Sequence, residues 1–313
     1  VRGRRAWLLV LVVLLAPSAR TGLGLPAASP PFLWGGDAEG GAPFVEADPR
    51  DPSVVRGMDV ELAGVIAKAL GRPARFIQVQ FGSIDASVER GDFSIGLSGV
   101  EDTPGRRAAH AVTVPYFEFR EVLTVRTADR GRYRSLADLR GRRIGTLGAT
   151  IAYDRLLAGR DAGGYELVTY EDDVHPYDDL AGGRLDAVLL DHIIAARSLK
   201  HVAGLVIQPD AVAMGRYVGV LAKRDTTLCG RVDDAIRGAM RDGTLEAIFR
   251  RWNVWDENQP KLFASVLSGA AGEAPIAQPA ATPAQPPAAT GGSLARAVAY
   301  LPALLRASLI TLG

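Results

Sequence analysis

One cysteine, Cys229, stands alone in 313 residues, so no internal disulfide can close. A lone thiol of this kind is usually a small packed residue, here on a helix. Histidine is nearly as scarce. His110, His175, His192 and His201 show no ligand spacing such as His-Glu-x-x-His, which speaks against a metal hydrolase and gives no metal site. Charge of one sign is missing too: 36 Lys and Arg face 35 Asp and Glu, for a net charge of +1. No basic block is interleaved with aromatics, so nucleic acid is a poor fit as a partner. Gly145 and Gly148 are not followed by Gly-Lys-Ser/Thr, so there is no phosphate-cradling loop, and no cofactor is expected.

Long hydrophobic runs are also lacking. The first, Trp7 to Leu15, falls short of the about 20 residues that a membrane span needs. Arg2, Arg4 and Arg5 precede it, and Pro17, Ser18, Ala19, Ala27 and Ala28 follow. Residues 1–28 therefore read as a secretory signal peptide, with an uncleaved anchor as the alternative. An exported protein is implied.

What is present, from Phe32 to about Phe263, is alternation of strand and helix patterns. Ile77, Val79 and Phe81 alternate with Gln78 and Gln80, and Phe93, Ile95 and Leu97 repeat the pattern. Asp59 is placed to cap a helix with Leu62, Val65, Ile66, Ala69 and Leu70 on one face, stopped by Gly71. Residues 143–147, 167–170 and 187–190 read as strands. Residues 150–157, 192–200, 228–240 and 245–252 read as helices. Such succession argues for parallel α/β layers. Residues 264–297 form an Ala/Pro-rich linker with too little apolar surface to fold. Residues 298–313 turn apolar again and suggest a membrane-associated segment, or a short amphipathic tail.

Several stretches, taken in order, resemble one family, the bacterial extracellular solute-binding proteins of family 3, which are polar amino-acid receptors. Gly57-Met58-Asp59-Val60-Glu61-Leu62 is similar to its GFDVDL segment. Ser98-Gly99, then Thr103-Pro104-Gly105-Arg106 and Pro115-Tyr116, resembles its SGMTITPER…FSxPY segment at the same spacing. Leu136 to Gly145, Asp179 to Asp191, and Asp242-Gly243-Thr244-Leu245 with Trp252 resemble three further segments. No single one is specific; five in order are. The tail, Tyr300 to Leu312, looks like the opening of a polar amino-acid permease subunit, which suggests a receptor fused to its own permease.

The resemblance implies a two-lobed α/β, periplasmic-binding-protein-like fold of type II. Lobe 1 would hold residues 32–124 and 221–263, and lobe 2 residues 125–220. Two hinge strands would join them, at Val122 to Arg126 and Val218 to Ala222. It implies a non-enzymatic component of an ABC importer, periplasmic and tethered through the permease segment, that binds an amino acid or similar small zwitterion. Its partners would be the permease, in the same polypeptide if the tail is read as above, and an ATPase subunit. A cyclohexadienyl-dehydratase-like enzyme and a sensor ectodomain share the scaffold and stand as alternatives.

For the site, the resemblance assigns Arg106 to the ligand carboxylate, a task that suits a planar guanidinium. It assigns Asp191 to the ligand ammonium, although Asp191 could instead cap a helix. Thr150 opens a helix whose N–H groups favour an anion. Ser98 and Gly99 belong to the same wall, and Phe81 matches a position that packs on the ligand, though a core aromatic would read the same way. Three positions depart from the family: Gly41 replaces a pocket aromatic, Glu101 a Ser or Thr, and Ala149 a Ser or Thr. Glu101 would repel an anionic ligand group or attract a cationic one if it points inward. If it faces solvent it does neither.

Overall fold

A computed structural model describes residues 29–40 and 42–270. The expected signal segment, the permease-like tail, most of the linker and Gly41 lie outside them. No helix among the described residues is long and apolar enough to cross a membrane.

The chain begins with β1 (Phe32–Gly36), a hairpin of β2 (Glu46–Asp48) and β3 (Asp51–Arg56), and α1 (Met58–Ala69). Then come β4 (Ala74–Gln78), α2 (Ile84–Arg90), β5 (Ile95–Gly96), α3 (Pro104–Ala109) and β6 (Ala111–Val112). The middle runs β7 (Phe117–Arg126), β8 (Arg143–Leu147), α4 (Ile151–Gly163), β9 (Glu166–Tyr170), α5 (His175–Ala181), β10 (Ala187–Asp191), α6 (His192–Ser198) and β11 (Leu205–Tyr217). It closes with β12 (Val220–Leu221), α7 (Thr226–Arg241), α8 (Thr244–Arg251) and α9 (Gln259–Leu267).

Two five-stranded sheets result, in the orders β4-β1-β5-β12-β6 and β11-β7-β10-β8-β9. Parallel pairing of β1 with β4 and β5, and of β8 with β9 and β10, follows from the helical crossovers between them. The first sheet and its helices make lobe 1, the second makes lobe 2.

The chain passes from one sheet to the other after Val112 and before Phe117, and returns between Tyr217 and Val220. The two passages are tied side by side: Tyr116 donates its N–H to the Tyr217 carbonyl at 2.9 Å, and Thr113 to the Gly219 carbonyl at 3.0 Å. The return overlaps the expected Val218 to Ala222, of which Val220 and Leu221 already belong to β12. The outward passage lies upstream of the expected Val122 to Arg126, which sit inside the second sheet opposite Leu205 to Ala211. The reason is that β7 extends well past the hinge. Aromatic packing stiffens this junction. Phe119 stacks on Tyr217 at 4.5 Å between ring centroids, and Phe117 meets Phe249 edge-on at 5.1 Å.

Two local readings shift for physical reasons. Helix α1 buries Leu62, Ala63, Ile66 and Ala67, while Ala69 is exposed. Its cap is Gly57, and Asp59 does not cap it. The Asp59 carboxylate instead reaches across the lobe to the N–H groups of Ser98 (2.9 Å) and Gly99 (2.7 Å). Helix α9 runs into the expected linker because Leu262, Phe263 and Val266 all bury against the core.

Candidate functional site

Strands of an open α/β sheet present their carboxyl ends to a crevice, and helix N-termini point there as well. Here the ends of two sheets converge on one cavity of about 180 Å³ between the lobes. Phe81, Ser98, Gly99 and Glu101 line it from lobe 1, and Thr150 and Asp191 from lobe 2. Six of the seven residues expected at the site therefore line one cavity. Arg106 is not among the lining residues.

Asp191 ends β10 and opens α6. Its Oδ1 accepts from the N–H groups of Ile193 and Ile194, each at 2.8 Å. Capping and cavity lining are thus performed by one carboxylate. Burial pushes its pKa up to about 6, against the pull of those N–H groups.

Glu101 is 3 % exposed. Its Oε2 accepts a hydrogen bond from the Ile151 N–H, the first residue of α4 in the opposite lobe. Burial above all pushes its pKa up to about 8; the Asp191 charge adds to this, and the Ile151 N–H and Arg106 oppose it. Glu121 sits opposite Asp191 in the β7–β10 pairing. Its pKa is driven well above the usual carboxylate range by burial, then by the charges of Glu101 and Asp191. Three carboxyl groups thus crowd one dry region.

Thr150 caps α4: its hydroxyl accepts from the Tyr153 N–H at 3.1 Å and donates to the Leu147 carbonyl at 2.7 Å. Ala149 before it has φ +60°. Ser98 has φ +116° and Gly99 +65°, a bend held by Asp59. Such backbone angles in a side-chain-bearing residue accompany ligand clamps.

Arg106 lies behind this wall, 6 % exposed. Its Nε donates to Asp85 at 3.0 Å, its Nη1 to the Glu101 carbonyl at 2.8 Å and its Nη2 to the Ala149 carbonyl at 3.3 Å. The last bond crosses the cleft. The guanidinium also sits 5.9 Å from the centre of the Phe81 ring.

Sequence reasoning missed Asp37, Asp85 and Asp173. Asp37 follows β1 as Asp191 ends β10, so the same strand-end rule would have found it. Asp173, which lines the cavity and pairs with Arg197 at 2.7 Å, lies in a loop with no motif. Asp85 becomes a partner of Arg106 only through the packing of α2.

Two α/β lobes, a double hinge and a small closed cavity with charged walls define a two-lobed solute binder. The chain belongs to the bacterial extracellular solute-binding proteins, family 3, whose pattern it matches over residues 37–254. It is 27 % identical over 231 residues to the L-cystine-binding protein TcyJ of Escherichia coli K12, spanning 74 % of this chain and 81 % of that one. It is 26 % identical over 201 residues to ABC transporter arginine-binding protein 1 of the same organism, spanning 63 % and 81 %. An ancestral arginine-binding protein bound to arginine shares the fold with a TM-score of 0.66 at 24 % identity, over 71 % of this chain and 97 % of that one. These relatives are named as binding proteins, and the chain is a solute-binding protein rather than an enzyme.

Proposed function

We propose that this chain is the extracytoplasmic substrate-binding component of an ABC importer, and that its solute is an amino acid or a close chemical relative of one. The observation that carries this is the closed cavity walled by Glu101 and Ser98 from one lobe and by Thr150 and Asp191 from the other. A guest touching both walls interacts better with the closed form than with the open one, and that difference drives closure. Asp191 supplies the charge for the guest's ammonium group. The closed form then docks on a permease and its ATPase. Relatives that bind cystine and arginine support the solute class.

Titration calorimetry of the protein against amino acids and their amines tests this reading. Binding that weakens in Asp191→Asn supports it; absence of binding by the whole panel overturns it. The tail from Tyr300 to Leu312 supports a finer reading, a receptor continuous with its permease and held at the membrane. The mass of the protein extracted from membranes decides that point: a receptor-sized species alone would refute it.

A further inference from the structure

The receptor reading leaves the chemical class of the solute open, and the cavity wall narrows it; the inference below rests on that reading. Among the described residues, seven carboxylate side chains line the cavity and no lysine, arginine or histidine does. Asp172 pairs outward with His175 and Asp173 with Arg197, and Glu39 and Glu171 are exposed, which leaves Asp37, Glu101 and Asp191. Asp37, Asp191 and Glu101 take hydrogen bonds from neutral groups only. Asp37 accepts from the N–H groups of Glu39 (3.0 Å) and Phe81 (2.9 Å) and from the Gln78 amide (3.1 Å). Asp191 accepts from two helix N–H groups, and Glu101 from one. Among the described hydrogen bonds Glu101 uses Oε2 alone, which leaves Oε1 of a 3 %-exposed carboxyl without a donor on the cavity wall. A buried acid in that position calls for a cation or a proton.

The places that would receive a carboxylate are already filled by the chain itself. Unpaired N–H groups at a helix start attract anions. At α4 the first N–H is taken by Glu101 and another by the Thr150 hydroxyl. The Arg106 guanidinium is held behind the wall by Asp85 and by two backbone carbonyls. An incoming carboxylate would therefore find, among the described residues, no free cation or α4 N–H on the wall to receive it, and would lie beside the Asp37 and Asp191 side chains. The Phe81 and Phe44 side chains also line the cavity and offer apolar surface to an alkyl or flat cation.

We propose that the solute is a cationic amine, guanidine or amidine that carries no carboxylate, and that Glu101 occupies the place an amino acid's own carboxylate would take. The α4 N-terminus is then satisfied before the guest arrives, and the guest completes the wall by neutralising Glu101, Asp191 and Asp37.

Matched pairs that differ only in the carboxylate test this directly. The full chain is titrated calorimetrically with L-arginine and agmatine, L-lysine and cadaverine, L-ornithine and putrescine, and L-histidine and histamine. In the best-bound pair the amine is expected to bind at least about tenfold more tightly than the amino acid. An amino acid that equals or exceeds its amine overturns the proposal and leaves the receptor reading standing. If no member of any pair and no other amino acid binds, both fall. Glu101→Thr removes the internal carboxylate and is expected to move the preference within the pair toward the amino acid. A folded variant, checked by its thermal melt, whose preference is unchanged refutes the role given to Glu101.

Discussion

Glu101 on lobe 1 accepts a hydrogen bond from the backbone N–H of Ile151, the first residue of α4 on lobe 2. A side chain of one lobe thus satisfies a helix terminus of the other. The contact forms only when the lobes meet, so it contributes to closure before any solute is counted. It also places an ionisable group on the closure contact.

Stability should therefore respond to pH through Glu101. Its folded pKa, about 8, lies above the ordinary value of 4.5, so the native state keeps a proton that the unfolded chain loses. The resulting stabilisation is fully present below the unfolded value and is lost as pH rises through about 8. Facing Glu101 are Asp191 on β10, Glu121 on β7, Arg106 on α3, Asp154 on α4 and the Tyr217 phenol on β11. Asp191 and Glu121 shift in the same direction and add to the trend. Glu101→Gln cannot ionise. Thermal melts across this range should show the native protein losing more stability than the variant; parallel curves for the two would contradict the assignment.

Solute uptake should be linked to the same proton. A cation against Glu101 favours the ionised carboxylate and so expels the proton below a pH of about 8. Apparent affinity for an amine should rise with pH through this window. Calorimetry in two buffers of different ionisation enthalpy should show proton release, reduced in Glu101→Gln. Equal heats in both buffers would count against this coupling.

Much of this site was legible in the sequence. Asp191 follows four apolar residues and precedes a helix, which fixes it at a strand's carboxyl end, where the cavity is. Thr150 was legible as a helix opener for the same reason. Arg106 was expected to grip a ligand carboxylate, and its partners in the structure, Asp85 and two backbone carbonyls, were not legible. Asp85 lies 21 positions away, and no periodicity links α2 to α3. Glu101 was visible only as a departure from a pattern. That its carboxylate crosses to Ile151 depends on how the lobes close, and local sequence does not encode that. The short strands β5 and β12 pair over one or two residues, too few for a pattern to specify their partners.

Asp59 offers a test of the site's framework, away from the solute. It is fully buried, and its Oδ2 serves the N–H groups of Ser98 and Gly99. Asp59→Ala would leave both buried donors unpaired. About 2–4 kcal/mol of folding stability should be lost, measured by urea denaturation. Asp59→Asn keeps a carbonyl acceptor and should lose markedly less. If the two variants are equally stable, the carboxylate does not hold the bend.

Arg106 separates support of the wall from contact with the guest. A lysine there has one compact ammonium and cannot reach Asp85, the Glu101 carbonyl and the Ala149 carbonyl together. Because the Ala149 bond crosses the cleft, Arg106→Lys should weaken closure for every solute alike. Amine and amino acid of a matched pair should lose affinity by similar factors, leaving their ratio near its original value. That outcome differs from Glu101→Thr, where the ratio itself moves. A selective loss of the carboxylate-bearing member in Arg106→Lys would instead show the guanidinium touching the solute's acid group, and the cation-only cavity would have to be abandoned.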